Sequence, residues 1–383
     1  SDFAMYEYQK NNRYFAQIAE DIKEEGAREL SELGAGNITP AYRGIYFRAD
    51  GETLYRITYS VRLFSRILAP LVSFPCHSTD QLYKKARQVN WTDFLAVKNT
   101  FAVFGNVSDS TITHSQYASL LVKDSIADSF RDRFGKRPNV DAKNPDVWFN
   151  VHIRNDMASI SLDLSGGSLH RRGYRLDAVS APMQETVAAA IIRYTEWDGS
   201  VPLYDPMCGS GTLLTEALLH YCRIPSGILR EHFGFEFLPD FKNRIWAKVV
   251  KDIGHGIREL PAGLIAGSDL SPEAVVIARS NIKKLRYGER IKLQSLDFRK
   301  IKVLENCIIV SNPPYGIRMG ERDDLALLYK ELGDFLKQKC KGSTAYIYFG
   351  ERELIKKIGL KPAWKKPLKS GGLDGRLVKY EMY

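Results

Sequence analysis

An asparagine, two prolines and a tyrosine stand together at Asn312, Pro313, Pro314 and Tyr315, directly after the apolar run CIIVS. This grouping suits one problem in particular. An exocyclic amine on a planar ring is a poor nucleophile because its lone pair is delocalised into the ring. The side-chain carbonyl of Asn312 can accept one N–H of such an amine and the backbone carbonyl of Pro313 the other, which redirects the lone pair. Fixed carbonyl dipoles then stabilise the positive charge that develops on nitrogen without reorganising. Proline locks the backbone that carries these carbonyls, and Tyr315 offers a ring on which a planar base can stack. The chemistry implied is group transfer to an amide-like nitrogen, and methyl transfer answers to it best.

A second grouping, DPMCGSGT at 205–212, places an acid at the end of a strand and two glycines in the turn to a helix. Its candidate contacts are Asp205, Pro206, Cys208, Gly209, Ser210, Gly211 and Thr212. Glycines there let the backbone approach a ligand, and a helix start offers free N–H groups. The pattern lacks Gly-x-Gly-x-x-Gly and has no following lysine, so it suits neither a dinucleotide pyrophosphate nor a triphosphate. A carboxylate at the strand end would repel phosphate and suits a cationic amine. Asp269, followed by Leu270, ends the next strand where ribose hydroxyls would lie, and Asp297 with Phe298 ends the third, where an adenine would sit. Three successive strands ending in aspartate describe a nucleoside carrying an amino acid, which is S-adenosylmethionine.

DPMCGSGT followed by SNPPYG resembles the class I S-adenosylmethionine-dependent amino-methyltransferases, which act on adenine N6, cytosine N4, guanine N2 or glutamine N5. Two longer stretches are more specific: LDLSGGSLHRRGYRLDAVSAPMQETVAAAII at 162–192 and VKDSIADSFRDRFGKRPNVDAKNPDVWFNVHI at 122–153. Together they resemble the THUMP RNA-binding module and its junction to the catalytic domain in bacterial 23S ribosomal RNA guanine-N2 methyltransferases, often labelled adenine-specific DNA methylases. The resemblance implies an α/β class I (Rossmann-like) doubly wound sheet at 168–383, preceded by a ferredoxin-like segment at 1–65 and a THUMP module at 66–167. It implies S-adenosylmethionine held by Asp205, Gly209, Gly211, Asp269, Asp297 and Phe298, with Asn312, Pro313 and Tyr315 at the methyl acceptor. With one Asn-Pro-Pro-Tyr in these residues, it carries over only the guanine-N2 activity. Competing readings are a transfer RNA guanine-N2 enzyme, a DNA adenine-N6 enzyme and a non-catalytic RNA-binding protein.

Two basic clusters are candidate RNA contacts: Arg131, Arg133, Lys136 and Arg137 in FRDRFGKRP, and His170, Arg171, Arg172 and Arg175 in SLHRRGYR. Solvated surface is an equally good reading of such clusters from composition alone. The formal charge of +10 over 383 residues agrees with a polyanionic partner, although basic surfaces also serve solubility. Five scattered cysteines without C-x-x-C spacing point to no zinc site, no disulfide framework and a reducing cytoplasm. No apolar run reaches the ~20 residues of a membrane span, and no signal peptide is visible.

The elements that must position these groups alternate from residue 201 onward. Strands are expected at 201–205, 264–270, 291–298, 307–311 and 343–349, with LVKYEMY as the last edge strand. Between them lie helices such as SPEAVVIARSNIKKL, with Ser271 as N-cap and Pro272 at its first position. The segment 223–262 reads as an insertion packed on that sheet. Before residue 165, strands are expected in RYFAQI, GIYFRAD and TFAVFGNVSD, with a hairpin in VWFNVHIRNDMASISLDLS turning at 154–156.

Overall fold

The computed structural model describes residues 5–175, 183–316 and 322–383. Parts of two motifs, 176–182 and 317–320, therefore lie outside the described residues. The chain divides into two compact units, one comprising Ser1–Leu169 with Arg230–Asp252 and the other His170–Leu229 with Ile253–Tyr383.

The first unit is built on an eight-stranded sheet. Its strands are β1 (Arg13–Gln17), β2 (Gly36–Ala41), β3 (Gly44–Arg48), β4 (Arg66–Pro75), β5 (Thr100–Ser108), β6 (Asn139–Val140), β7 (Val147–Arg154) and β8 (Met157–Asp163), in the order β2-β3-β1-β4-β8-β7-β5-β6. Helices α1 (Glu7–Asn11), α2 (Lys23–Glu32), α3 (Gly51–Ser60), α4 (Thr79–Arg87) and α5 (Ser115–Phe134) accompany them. Alternation governs β7: Val147, Phe149, Val151 and Ile153 are buried in the core, so Trp148, Asn150, His152 and Arg154 project to the opposite face. Asn155 and Asp156, at φ 51° and 56°, join β7 to β8 at the expected place. Left-handed backbone at both central residues is the type I′ turn that matches strand twist.

Later elements follow as α6 (Glu185–Tyr194), β9 (Leu203–Asp205), α7 (Thr212–Cys222), α8 (Asn243–Gly256), β10 (Ile265–Asp269), α9 (Pro272–Ile282), β11 (Lys292–Ser295), β12 (Ile308–Ser311), α10 (Arg322–Lys339), β13 (Thr344–Phe349), β14 (Trp364–Pro367) and β15 (Arg376–Glu381). Their strands form the sheet β11-β10-β9-β12-β13-β15-β14. The first five in that order pair in parallel, and β15 pairs antiparallel with both β13 and β14. Ile309, Val310, Ala345 and Ile347 are buried on the central strands, as a sheet covered on both faces demands. Ser271 caps α9 by accepting from the Ala274 N–H at 3.2 Å, with Pro272 next. Each expected strand of this sheet is present but shorter. One expectation fails: the LVKYEMY strand is not an edge, because β14 pairs along its outer side.

A second correction concerns 223–262. Its central part does not pack on the C-terminal sheet but belongs to the first unit. The reason is aromatic. Phe235 stacks on Phe233 with centroids 5.1 Å apart, lies 4.7 Å from Tyr55 of α3, and meets Trp246 of α8 at 4.9 Å. Trp246 also meets Tyr59 edge-on at 5.0 Å, and Asp240 accepts from the Tyr8 hydroxyl at 2.8 Å. Gly234 permits this contact, since a Cβ there would sit 1.8 Å from the Asp163 carbonyl oxygen. Phe235→Ala is therefore expected to cost about 3–5 kcal/mol. Hydrogen-exchange mass spectrometry should show protection lost in peptides of α3, β1 and β4 and retained in β9, β12 and β13; the reverse pattern would return the segment to the second unit.

Candidate active site

The carboxyl ends of β9, β10 and β12 meet at one cavity of about 610 Å³, within the range for a drug-sized ligand. It lies where the strand order reverses, the usual ligand position in open α/β sheets. Its lining includes every cofactor and acceptor candidate named from the sequence except Gly211, namely Asp205, Pro206, Cys208, Gly209, Ser210, Thr212, Asp269, Leu270, Asp297, Phe298, Asn312, Pro313, Pro314 and Tyr315. Gly211 stands one step behind. At φ 84°, it abuts Ile282 and Ala278 of α9, where a Cβ would come within 3.1 and 3.2 Å. Gly209, at φ 53°, has nothing within 4 Å of its Cβ direction, so backbone here is open to approach.

The two acids nearest the turn differ in what they do. Asp205 is 1% exposed, and its Oδ1 accepts the Met207 N–H at 3.0 Å. Burial pushes its carboxyl well above the usual range; the Met207 hydrogen bond pulls the other way and the charge of Asp269 adds to the rise. Asp269 holds the loops together, because Oδ2 accepts from Gly209 N and Oδ1 from Ser271 N, both at 2.9 Å. A carboxylate oxygen has two lone pairs, so each oxygen retains acceptor capacity.

At the third strand end, Asp297 accepts from the Arg299 backbone N–H at 3.0 Å and pairs with its guanidinium at 3.1 Å. Phe298 is 3% exposed and packs edge-on against Phe335 with centroids 5.7 Å apart, so it belongs to the core while also lining the cavity.

The Asn-Pro-Pro-Tyr turn is organised by its neighbours. The Tyr329 hydroxyl of α10 donates to the Pro314 carbonyl at 3.0 Å, which fixes the Pro314–Tyr315 peptide. Gly350 lies against the Tyr315 ring so closely that a Cβ would come within 2.5 Å of it. The Tyr315 hydroxyl is pushed up by burial, against the pull of the Asn312 side chain. Asn312 Oδ1 is buried in the cavity and has no hydrogen-bond partner. Sequence reasoning missed Met183, Met207, Arg299 and Leu328 in the lining, and Tyr329 and Gly350 behind it. Only Gly350, directly following β13, carried a local signal, as a glycine at the end of a strand.

The basic candidates divide. Arg131, Arg133 and Lys136 are exposed at the end of α5, and Arg137 is half-buried, donating to the Pro138 carbonyl at 3.1 Å. Arg171 is exposed and His170 partly so. Arg172 is not a surface residue: it is 1% exposed and pairs with Glu216 of α7 at 2.9 Å, while the Tyr174 hydroxyl donates to the other Glu216 oxygen at 2.8 Å. Burial opposes the guanidinium's charge, and the Glu216 carboxylate more than restores it. Arg175 turns inward too, donating to Thr212 Oγ1 at 2.9 Å and the Met183 carbonyl at 2.8 Å and pairing with Glu185 at 3.2 Å. These two arginines hold the start of α7 and are not placed to meet phosphate. Among the described residues, no group of three or more metal-ligating side chains occurs, and no helix is long and apolar enough to cross a membrane.

The fold and this site define a methyltransferase of the doubly wound α/β class. The model of the RMKL-like methyltransferase domain matches residues 172–379, that of the THUMP domain 76–163, and that of the RlmL ferredoxin-like domain 15–68. The chain belongs to the RMKL-like methyltransferase family. It is 36% identical to a Synechocystis protein provisionally named an RNA methyltransferase, covering 97% of each chain. It is 35% identical to the ribosomal RNA large subunit methyltransferase K/L of Syntrophotalea carbinolica, covering 97% of this chain but 53% of that protein. The chain thus spans about half the length of the K/L relatives. A solved structure of a protein described as a methyltransferase complexed with SAH superposes with a TM-score of 0.84 at 25% identity, covering 97% of this chain and 98% of that one.

The Arg172 placement has a measurable consequence. Arg172→Ala leaves Glu216 buried without its cation and is expected to lose about 3–5 kcal/mol in urea denaturation, whereas Arg171→Ala on the surface should change stability by less than ~0.5 kcal/mol. Equal, small losses in both would put Arg172 back among the exposed candidates.

Proposed function

We propose that the protein transfers a methyl group from S-adenosylmethionine to the exocyclic N2 of a guanosine in 23S ribosomal RNA. The observation that carries this reading is the buried, unpartnered Asn312 Oδ1 at the end of β12. An acceptor oxygen held without a partner in a cavity is unfavourable until a donor arrives, and an amine N–H is such a donor. Ribosomal RNA is supported by the K/L relatives, which match nearly the whole of this chain. A cytoplasmic location accords with that substrate. Residues 1–65 and 66–167 serve RNA binding in this reading, and 168–383 the transfer.

The cavity's residues fit the cofactor. Asp205 is a carboxylate whose burial calls for a cation, and the methionine ammonium is one. Gly209 leaves room for close approach of backbone, and Asp269 retains acceptor capacity for ribose hydroxyls. When bound, S-adenosylmethionine supplies an electrophilic methyl group. The chain's own part is to orient the acceptor. Asn312 Oδ1 and the Pro313 carbonyl each accept an N–H of the guanine amine, so the nitrogen becomes pyramidal and its lone pair is drawn out of conjugation with the ring. Tyr329 fixes the adjoining peptide through Pro314. Tyr315, held against Gly350, offers its ring to the base. The positive charge that grows on nitrogen meets preorganised dipoles.

Asn312→Ala should lower kcat by about 100–1000-fold, the usual cost of one preorganised transition-state hydrogen bond, with cofactor affinity little changed. Asn312→Asp keeps an acceptor and should retain more activity than the alanine variant. Single-turnover transfer into ribosomal RNA followed by nucleoside analysis checks both; a parental rate in Asn312→Ala, or N6-methyladenosine as product, would sink the proposal.

A proton should accompany cofactor binding. With its pKa raised in the free protein, Asp205 is protonated below that raised value and must ionise to meet an ammonium. Affinity should therefore rise with pH until the raised pKa is passed and level off above it. Calorimetry in two buffers of different ionisation enthalpy should reveal proton release that disappears in Asp205→Asn; unchanged release in that variant would assign the proton elsewhere.

A further inference from the structure

The face of the N-terminal sheet that carries Asn150, His152 and Arg154 holds a second cavity, about 250 Å³ in volume. It gathers side chains from β1, β3, β4, β5, β7 and β8, all within the first unit. Polar residues on an outward sheet face normally meet water, but here Asn150 is 2% exposed and Ser161, opposite it on β8, is 4% exposed. Four lining residues hold a buried polar atom without a hydrogen-bond partner: Gln17 Oε1, Ser108 Oγ, Asn150 Nδ2 and Arg154 Nε. Such atoms are few in native proteins, and four around one cavity mark it as a polar site to be filled by water or by a ligand that displaces it.

Their types restrict what that ligand can be. Asn150 Nδ2 and Arg154 Nε donate, and Gln17 Oε1 accepts, so a simple anion would leave Gln17 unmet and an apolar molecule would satisfy none. Arg43 and Arg154 bring positive charge, with the Arg154 guanidinium held 3.7 Å over the Tyr42 ring. Phe15, Tyr42 and Tyr46 add aromatic surface. His152 is held toward its neutral form by burial and by the nearby Arg154 and Arg43 charges. The volume falls just below the ~300 Å³ at which drug-sized sites begin, which suits one ring system with its substituents.

We propose that this cavity binds a single nucleotide, its base edge bonded to Gln17, Ser108 and Asn150 and its phosphate near Arg43 and Arg154. A base edge supplies donors and acceptors together, a planar ring meets the aromatic walls, and the phosphate meets the arginines. The nucleotide is either an unpaired residue of RNA or a free mononucleotide. Its RNA form rests on the function proposed above.

The test uses the full chain, with cofactor binding followed as a control. Fluorescence anisotropy with single-stranded oligoribonucleotides of each base, and calorimetry with the four nucleoside monophosphates, measure the parent, Asn150→Leu and Ser108→Ala. The parent should prefer one base. Asn150→Leu should melt no lower than the parent, because an unmet polar atom has been removed, yet bind the preferred species at least tenfold more weakly. Ser108→Ala carries the same comparison if the leucine variant fails to fold. Loss confined to oligonucleotides assigns an RNA residue; loss seen equally with monophosphates assigns a free nucleotide. Parental affinity in both folded variants, or no base preference in the parent, overturns the proposal. Methyl transfer to ribosomal RNA by the parent, measured in parallel, separates the two readings: its absence with base-selective binding intact would count against the function alone.

Discussion

Parallel pairing around β9 sets the level at which the catalytic groups stand. Gly267 of β10 pairs with Asp205, and Ile309 of β12 pairs with Tyr204. Asp269 and Asn312 therefore each lie two residues beyond the level of Asp205, an overhang of ~6.6 Å at 3.3 Å per residue. The cofactor-side acid and the acceptor-side amide thus project equally from neighbouring positions on either side of β9. A slip of one residue would turn each to the opposite face of the sheet. Gly267 is part of this constraint, since a Cβ there would meet Leu214 at 2.6 Å and the Asp205 carbonyl at 3.0 Å.

What the turns do depends on that level. With its register set, Asp269 can reach back to Gly209 and forward to Ser271 at once, so one carboxylate shapes two loops. On the other side the Asn-Pro-Pro-Tyr turn is clasped by Tyr329 and Gly350, which come from elements later in the chain. The rigidity that two prolines supply locally is thereby completed by packing. Behind the loop, Arg175 holds Thr212 while Arg172 and Tyr174 hold Glu216, so the first turns of α7 are fixed by the segment that enters the second unit.

Much of this was legible in the sequence because it is local. The acids that end β9 and β10 and follow β11, the N-cap at Ser271 and the turn at Asn155 and Asp156 each follow from a few neighbouring residues. What was not legible depends on partners far along the chain. Nothing in HRRGYR distinguishes Arg171 from Arg172; the difference is a carboxylate 44 residues later. Phe298 reads as a ligand-framing ring, but its packing against Phe335 is not visible from its neighbours in the chain. The aromatic residues of FGFEFLPDFKNRIW announce that the segment packs on something, but they match Tyr55 and Tyr59 of α3 only once the chain has folded back. The edge strand failed for a similar reason, because β14 reads WKKP and carries little strand signal of its own.

That returning segment also bears on the order of synthesis. Domains of many proteins fold one after another as they leave the ribosome, and a chain whose first unit ended at Leu169 could do so. Here the aromatic layer over α3 arrives only with Arg230–Asp252, after α6, β9 and α7 have been made. The earlier-made unit must wait, with Tyr55 and Tyr59 lacking these aromatic neighbours, until part of the later one has emerged. The two units are therefore completed in an interleaved order, and the first cannot be excised at residue 169 without losing a part of its own core.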